Sequence, residues 1–253
     1  EAQAALNGAS AAAMKSADNF YQGDASKWRK FANSLMLRVA MRMSKVDPAA
    51  AEQWVKTAVA NGVFESDADN CMLMHAGGLT TNDFSEPYAK IYSHEDRGNF
   101  FLTEYFVDLL KSTNDPRLSL IGTVCEEPTI SVQAGSDFQY GNSDPAVQKG
   151  LPSGFSDSPD SPWFVGNKYP EFKDEDYRST YRSRYSTINR YTYSDSTGPT
   201  FVCTYAQTQL LLAEAAVRGW VDGSAQTYYE NGVRAACGSS HSSPTARRCI
   251  ISI

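Results

Sequence analysis

The chain of 253 residues is 42% hydrophobic and 21% charged, which is enough apolar material for a sizeable core in one domain or two. Lys and Arg number 23 against 29 Asp and Glu, for a formal net charge of −6, so generic nucleic-acid binding is a poor reading. No apolar run approaches the roughly 18 residues needed to cross a bilayer. The Ala-rich stretch from Glu1 lacks a leader pattern, and with no initiator Met a removed leader or a lost N-terminal part is expected.

From Ala25 to Val46 the residues Trp28, Ala32, Leu35, Val39, Met43 and Val46 recur every three or four positions, which predicts a helix with that apolar face. Asp47 can cap a second helix and Pro48 suits its first position; Trp54, Val55, Ala58 and Val59 follow, and Gly62 ends it. The pair has the length of one tetratricopeptide-like αα-hairpin. Phe100 to Leu110 predicts another apolar helix, stopped by Asn114, Asp115 and Pro116. A second hairpin is expected near the C-terminus. Its first helix runs from Thr204 to Arg218 and is closed by Gly219 and Trp220; its second is capped by Ser224 and runs to about Ala236.

Between residues 113 and 200 the chain is rich in Ser, Asp, Gly, Pro and Tyr and admits only one or two short strands, at Tyr191–Tyr193 and Thr200–Thr204. It also holds seven of the 14 tyrosines, a density that disordered linkers lack, so it is expected to pack on the helices. Residues 237–253 have neither helical nor strand period and are expected to be a non-native or disordered tail, set apart from a single helical domain over 1–236. The five cysteines show no CxxC spacing; Cys71, Cys125 and Cys203 read as scattered buried thiols, with Cys237 and Cys249 in the tail. The fold class is therefore mostly α: tetratricopeptide-like hairpins forming a scaffold for long, irregular, aromatic-rich loops.

Three segments carry a resemblance to a known family: GDASKWRKFANSLMLRVAMRMSKVDP at Gly23–Pro48, NDPR at Asn114–Arg117, and TYAQTQLLLAEAAVRGW at Thr204–Trp220 followed by YYENGV at Tyr228–Val233. Together they resemble the SusD/RagB family, most closely its SusD-like branch of glycan-binding lipoproteins of Bacteroidetes, with coverage from about Tyr21 to Ala236. The resemblance implies a surface-exposed protein of the outer membrane, held by a lipid anchor absent from this chain, that captures oligosaccharide for a SusC-type TonB-dependent transporter. It also implies a chain truncated at both ends, without the family's first helices or C-terminus.

Sugar rings are held by flat aromatic faces against their C–H groups, with amides and carboxylates taking the hydroxyls. The segment Phe155–Phe172 places Trp163, Phe164 and Tyr169 beside Asp160, Asn167 and Lys168, on turns stiffened by Pro159, Pro162 and Pro170. The candidate ligand residues are accordingly Trp163, Tyr169, Asp160 and Asn167, with Tyr140 and Asn142 as a second set. Composition also allows Trp163 and Phe164 to anchor the loop, and leans that way for both, more strongly for Phe164. In the loop Ser66–Asp96, Gly77 and Gly78 read as a turn, and His75 and His94 lack a third ligand for a metal.

Lys27, Lys30, Arg38, Arg42 and Lys45 share one side of the first helix and could dock an acidic partner, though paired or solvated scaffold charge is the ordinary reading. Glu214 and Arg218 are spaced for a helical ion pair. No serine-hydrolase elbow, HExxH, Walker or GxGxxG motif is present, and the acidic pairs Glu126 with Glu127 and Asp174 with Asp176 read as solvated. No cofactor is expected. Ca²⁺ at Asp67 and Asp69, or at Asp157 and Asp160, lacks an EF-hand pattern. The alternatives to glycan capture are a helical scaffold for a peptide or protein partner and, less favoured, a glycoside hydrolase.

Overall fold

The computed structural model describes residues 15, 17–77, 87, 100–125, 141–156, 158–174, 184–189 and 196–239. The chain divides into two compact units, Glu1–His75 with Pro199–Ile253, and Ala76–Gly198.

In the first unit, helix α1 spans Ala25–Arg42, started by the Asp24 carboxylate, which accepts from the Ser26 and Lys27 amides. Helix α2 spans Pro48–Ala60; Asp47 accepts from the Ala50 amide and Pro48 takes the first turn. Gly62, at φ +88°, donates its amide to the Val59 carbonyl, the helix-ending glycine expected there. The C-terminal hairpin consists of α5, Tyr205–Val217, and α6, Ala225–Ser239. Gly219, at φ +74°, again ends the first helix, and the Trp220 amide reaches the Ala215 carbonyl. Ser224 caps α6 through the Thr227 amide, and α6 continues past Ala236.

Leu37, Ala40 and Met41 of α1, Ala51, Val55 and Ala58 of α2, and Leu212, Ala215 and Trp220 of the second hairpin form one buried cluster. Two hairpins far apart in sequence therefore share a core, the tetratricopeptide-like arrangement.

Two expectations for α1 need correction. The helix stops at Arg42 because residues 43–46 turn, with the Val46 and Asp47 amides both bonded to the Met43 carbonyl, and this leaves Val46 88% exposed. Its buried stripe is Asn33, Ser34, Leu37, Ala40 and Met41, while Val39 faces outward. The reason is polar: Asn33 Nδ2 donates to the carbonyls of Asn61 and Gly62, and Ser34 Oγ accepts from the Phe64 amide. Both side chains serve backbone groups at and just beyond the C-terminus of α2, and a count of apolar residues is blind to that work.

Strand β1, Cys71–Met74, pairs antiparallel with β5, Pro199–Cys203, against a cluster of Tyr21, Phe64, Cys71 and Cys203 flanked by Trp28, Phe31 and Tyr205. Trp28 is ringed by edge contacts from Phe20, Tyr21 and Phe31, with centroids 5.2 to 6.0 Å away. Its indole N–H donates to Asp18, whose carboxylate also accepts from the amides of Phe20, Tyr21 and Gly23. Burial works against the Asp18 charge, yet these four donors outweigh it and bring its pKa down from 3.8 to about 2. A carboxyl depressed on folding contributes its stabilisation above the unfolded value and loses it as pH falls through the folded one. Asp18→Ala should therefore cost about 1–2 kcal/mol at neutral pH, allowing for solvent screening. It should also flatten the stability loss between pH 4 and 2, measured by urea unfolding at several pH values.

In the second unit, α3 spans Glu104–Ser112, four residues later than the expected start. Thr103 caps it, and the preceding stretch is extended, with the Leu102 amide bonded to Ser186 and its carbonyl accepting from Leu151. Asn114, at φ +50°, follows α3, and Asp115 and Arg117 form a paired fork beyond it. After the short helix α4, Leu118–Ile121, comes a three-stranded antiparallel sheet with β2, Gly122–Cys125, between β3, Gly141–Asn142, and β4, Ser186–Ile188. These strands exceed the one or two expected, because elements of two to four residues are too short to display a two-residue alternation. Tyr191–Tyr193 lies outside the described residues.

Among the described residues this unit holds two apolar clusters: Leu102, Val107, Leu110 and Leu118, and Phe164, Val165, Phe172 and Tyr185. A buried polar knot ties the strands to the loops. Gln148 Nε2 donates to the Gly122 carbonyl, Gln148 Oε1 accepts from Ser186 Oγ, and that hydroxyl accepts from the Lys149 amide.

Candidate functional site

The loop 155–174 is built by its prolines and serines. Pro159 occupies the second position of a turn closed by the Ser161 amide on the Ser158 carbonyl, and Pro162 does the same in the next turn, closed by Phe164 on Ser161. The Ser156 amide donates to the Trp163 carbonyl, and the Val165 amide to the Ser156 carbonyl, so the two ends of the loop are stitched together. Short 3-10 turns, Val165–Asn167 and Pro170–Lys173, carry the chain onward. The backbone bonds of this stretch are thus made within the loop itself, as a preformed binding surface requires.

At the neck of the loop two adjacent aromatics part company. Phe164, at φ −57° and ψ 125°, is 6% exposed and packs into the Val165–Phe172–Tyr185 cluster. Trp163 is 71% exposed. The lean toward an anchoring role thus fits Phe164, and Trp163 is the bare ring. Gly166 makes room for the anchor: a Cβ there would lie 2.4 Å from the Phe164 ring.

Tyr169 is half-buried and held from several sides. Its hydroxyl donates to Glu104 Oε2 at 2.8 Å, the Phe155 ring meets it edge-on at 5.8 Å, and the Lys168 ammonium sits 5.1 Å from its centroid. The same ammonium is 5.6 Å from the Phe155 centroid, so one cation bridges two rings. Phe155, partly exposed, and Lys168 belong with the candidate residues; the signal was a lysine one residue before a tyrosine in an aromatic-rich loop. Asp160 and Asn167 are exposed on this loop. Asn142 is half-buried in β3, where its Oδ1 accepts from the Asp144 amide and its carbonyl from Gln148, an arrangement that shapes a turn. Tyr140 lies outside the described residues, as do Asp157, Glu126, Glu127, Asp176 and His94.

Several other charged candidates are occupied within the fold. Lys30 pairs with Glu65 and Asp69, Lys27 donates to the Ala68 carbonyl, and Arg38 donates to the Val202 carbonyl and Gln207, so these three members of the basic stripe are scaffold. Asp67 and Asp69 lie in a 3-10 turn, where Asp69 caps the amides of Glu65 and Ser66. Glu214 and Arg218 are 2.6 Å apart, and the guanidinium lies over Trp220 at 5.2 Å. His75 Nε2 lies 2.9 Å from Thr200 Oγ1, and Gly77, at φ +84°, faces the Thr197 methyl, as a turn would.

A family model described as starch-binding and associating with the outer membrane, SusD-like, matches residues 1–244. Among solved structures, a chitin-binding protein is 31% identical, with 88% of this chain and 42% of that one covered at a TM-score of 0.63. A SusD-like protein of Bacteroidetes AC2a is 26% identical, with coverage of 89% and 49% and a TM-score of 0.72. One from Bacteroides thetaiotaomicron is 28% identical, with 94% and 41% covered at 0.60. The chain spans less than half the length of each of these three relatives. No curated protein matches in sequence.

Proposed function

Since this chain belongs to the SusD-like family of starch-binding proteins that associate with the outer membrane, we propose that it captures an oligosaccharide without cleaving it and delivers it at the cell surface to a SusC-type TonB-dependent transporter. The observation that carries this reading is the Trp163 indole, left bare on a loop that is self-bonded and anchored by its neighbour Phe164. A rigid, water-exposed indole stacks on the apolar face of a pyranose at little entropic cost. Asp160, Asn167 and Lys168, exposed on the same loop, are of the type that takes ring hydroxyls. Tyr169, held through Glu104 and half-buried, adds a second aromatic ring beside them; Tyr140 and Asn142 form the second set.

The relatives suggest the glycans to try first, starch and chitin oligomers. Affinity electrophoresis through gels containing each polysaccharide tests the reading. The Trp163→Ala variant should bind roughly tenfold more weakly, about 1–1.5 kcal/mol for a lost stacking contact. Its unfolding free energy should stay within about 0.5 kcal/mol of the parent, since an exposed side chain is removed. If no glycan retards the protein while it still co-purifies with a transporter, the peptide or protein scaffold reading replaces this one. Release of reducing sugar, abolished by a single Asp or Glu substitution, would make it a hydrolase.

A further inference from the structure

Cys71 and Cys203 stand opposite each other as partners in the antiparallel β1–β5 ladder, one at the end where the chain enters β1 and the other where it leaves β5. Both are buried, at 1% and 3% exposure, and both side chains belong to the cluster that contains Tyr21 and Phe64, so they project to the same side of the ribbon. Directly paired residues of antiparallel strands have Cα atoms about 4.5–5.5 Å apart, inside the span of about 4.4–6.8 Å that a disulfide bridges. A register shift between Cys71 and Met72 places the pair at the end of the ladder, next to a local irregularity.

The position along the chain gives such a bond a purpose. Residues 72–202 lie between the two cysteines, and they include the whole of the second unit, Ala76–Gly198, which is inserted into the first between β1 and β5. The chain enters this insertion from β1 and returns from it into β5, and the two strands pair as a two-stranded ribbon, an element that is marginal by itself. A covalent link at this root would close a very long loop, the case in which a crosslink most restricts the unfolded chain.

We propose that Cys71 and Cys203, both reduced in this structure, form an intramolecular disulfide that staples the root of the inserted unit. Proteins of the outer membrane lie outside the cytosol, in surroundings that are not reducing and in which such bonds persist. With a small-molecule disulfide such as oxidised glutathione as oxidant, one cysteine thiolate attacks it to give a mixed disulfide and one molecule of thiol. The second thiolate then displaces the glutathione moiety as a second thiol, leaving the Cys71–Cys203 S–S bond; two protein S–H bonds are lost and the oxidant gains the two electrons. Burial pushes both thiols above their ordinary pKa and shields them, so the attack depends on openings of the ribbon. This proposal stands apart from the glycan reading, and its test does not involve a sugar.

The full chain is incubated with oxidised glutathione at pH 8, unfolded in the presence of an alkylating agent, and digested without reduction for peptide mapping. The expected result is a linked peptide pair joining Cys71 to Cys203, an intact mass lower by about 2 Da for that bond, and a melting temperature raised by about 5 °C or more. In the Cys203→Ala variant the oxidant should leave the melting temperature unchanged, which separates the crosslink from any effect of the substitution on packing. Recovery of Cys71 and Cys203 as alkylated thiols, or linkages that involve only Cys125, Cys237 or Cys249, would overturn the proposal.

Discussion

Phe164→Ala is expected to lower stability by about 3–4 kcal/mol and to abolish retardation by glycan, although the phenyl ring itself is turned away from solvent. The ring fills the cluster formed with Val165, Phe172 and Tyr185 and is 6% exposed, so truncation leaves a cavity that the surrounding side chains cannot fully close. The neck of the loop depends on the same residue: its amide closes the Pro162 turn, and the Ser156–Trp163 and Val165–Ser156 bonds flank it. Without the anchor the loop loses the constraint that presents Trp163. Two adjacent aromatics thus make opposite predictions, Trp163→Ala a binding defect at full stability and Phe164→Ala a defect in both. Hydrogen exchange followed by mass spectrometry locates the damage: Phe164→Ala should expose amides in 101–125, 141–156, 158–174 and 184–189 while leaving α1, α2, α5 and α6 protected. Phe164→Leu, which refills most of the volume, should recover most of both properties.

Trp220→Ala should cost the first unit about 3–5 kcal/mol. The indole, 8% exposed, is the piece of the C-terminal hairpin that enters the cluster of Leu37, Met41, Val55 and Leu212. It follows Gly219 directly, and its amide closes the end of α5 on the Ala215 carbonyl, so side chain and backbone lock the hairpin together. Arg218 covers the outer face of the ring. Amide exchange should rise in residues 25–60 and 205–239, the reverse of the Phe164→Ala pattern, because the units have separate cores. Chemical unfolding of this variant should become biphasic as the first unit melts before the second.

The helical skeleton could be read from the residues alone wherever the signal was local. Asp47 with Pro48, Gly62, Gly219 with Trp220, and Ser224 all mark helix ends through bonds to residues within a few positions, and each does in the structure what its chemistry suggested. The family resemblance, carried by Gly23–Pro48, Asn114–Arg117 and Thr204–Val233, belongs to the same legible layer. Asn33 and Ser34 escaped this reading because their partners, Asn61, Gly62 and Phe64, are about thirty positions away, and a polar side chain buried to serve a distant carbonyl leaves no periodic trace. The short strands escaped for a similar reason, since their pairing, as between Gly122 and Ile188, is a property of two distant segments.

The candidate site divides along the same line. Composition alone identified the loop, its turn-forming prolines and the aromatic residues with the chemistry to hold a sugar. Which ring faces water was decided by tertiary packing: composition leaned toward anchoring for both Trp163 and Phe164, and the cluster around Tyr185 takes in Phe164 alone while Trp163 stays outside. The pairing of Cys71 with Cys203 was likewise invisible as spacing and appears only when β1 and β5 meet. Local bonds and side-chain shape are written residue by residue, whereas burial is a competition among all the apolar groups of a unit for a limited interior, and its outcome exists only once the chain has closed on itself.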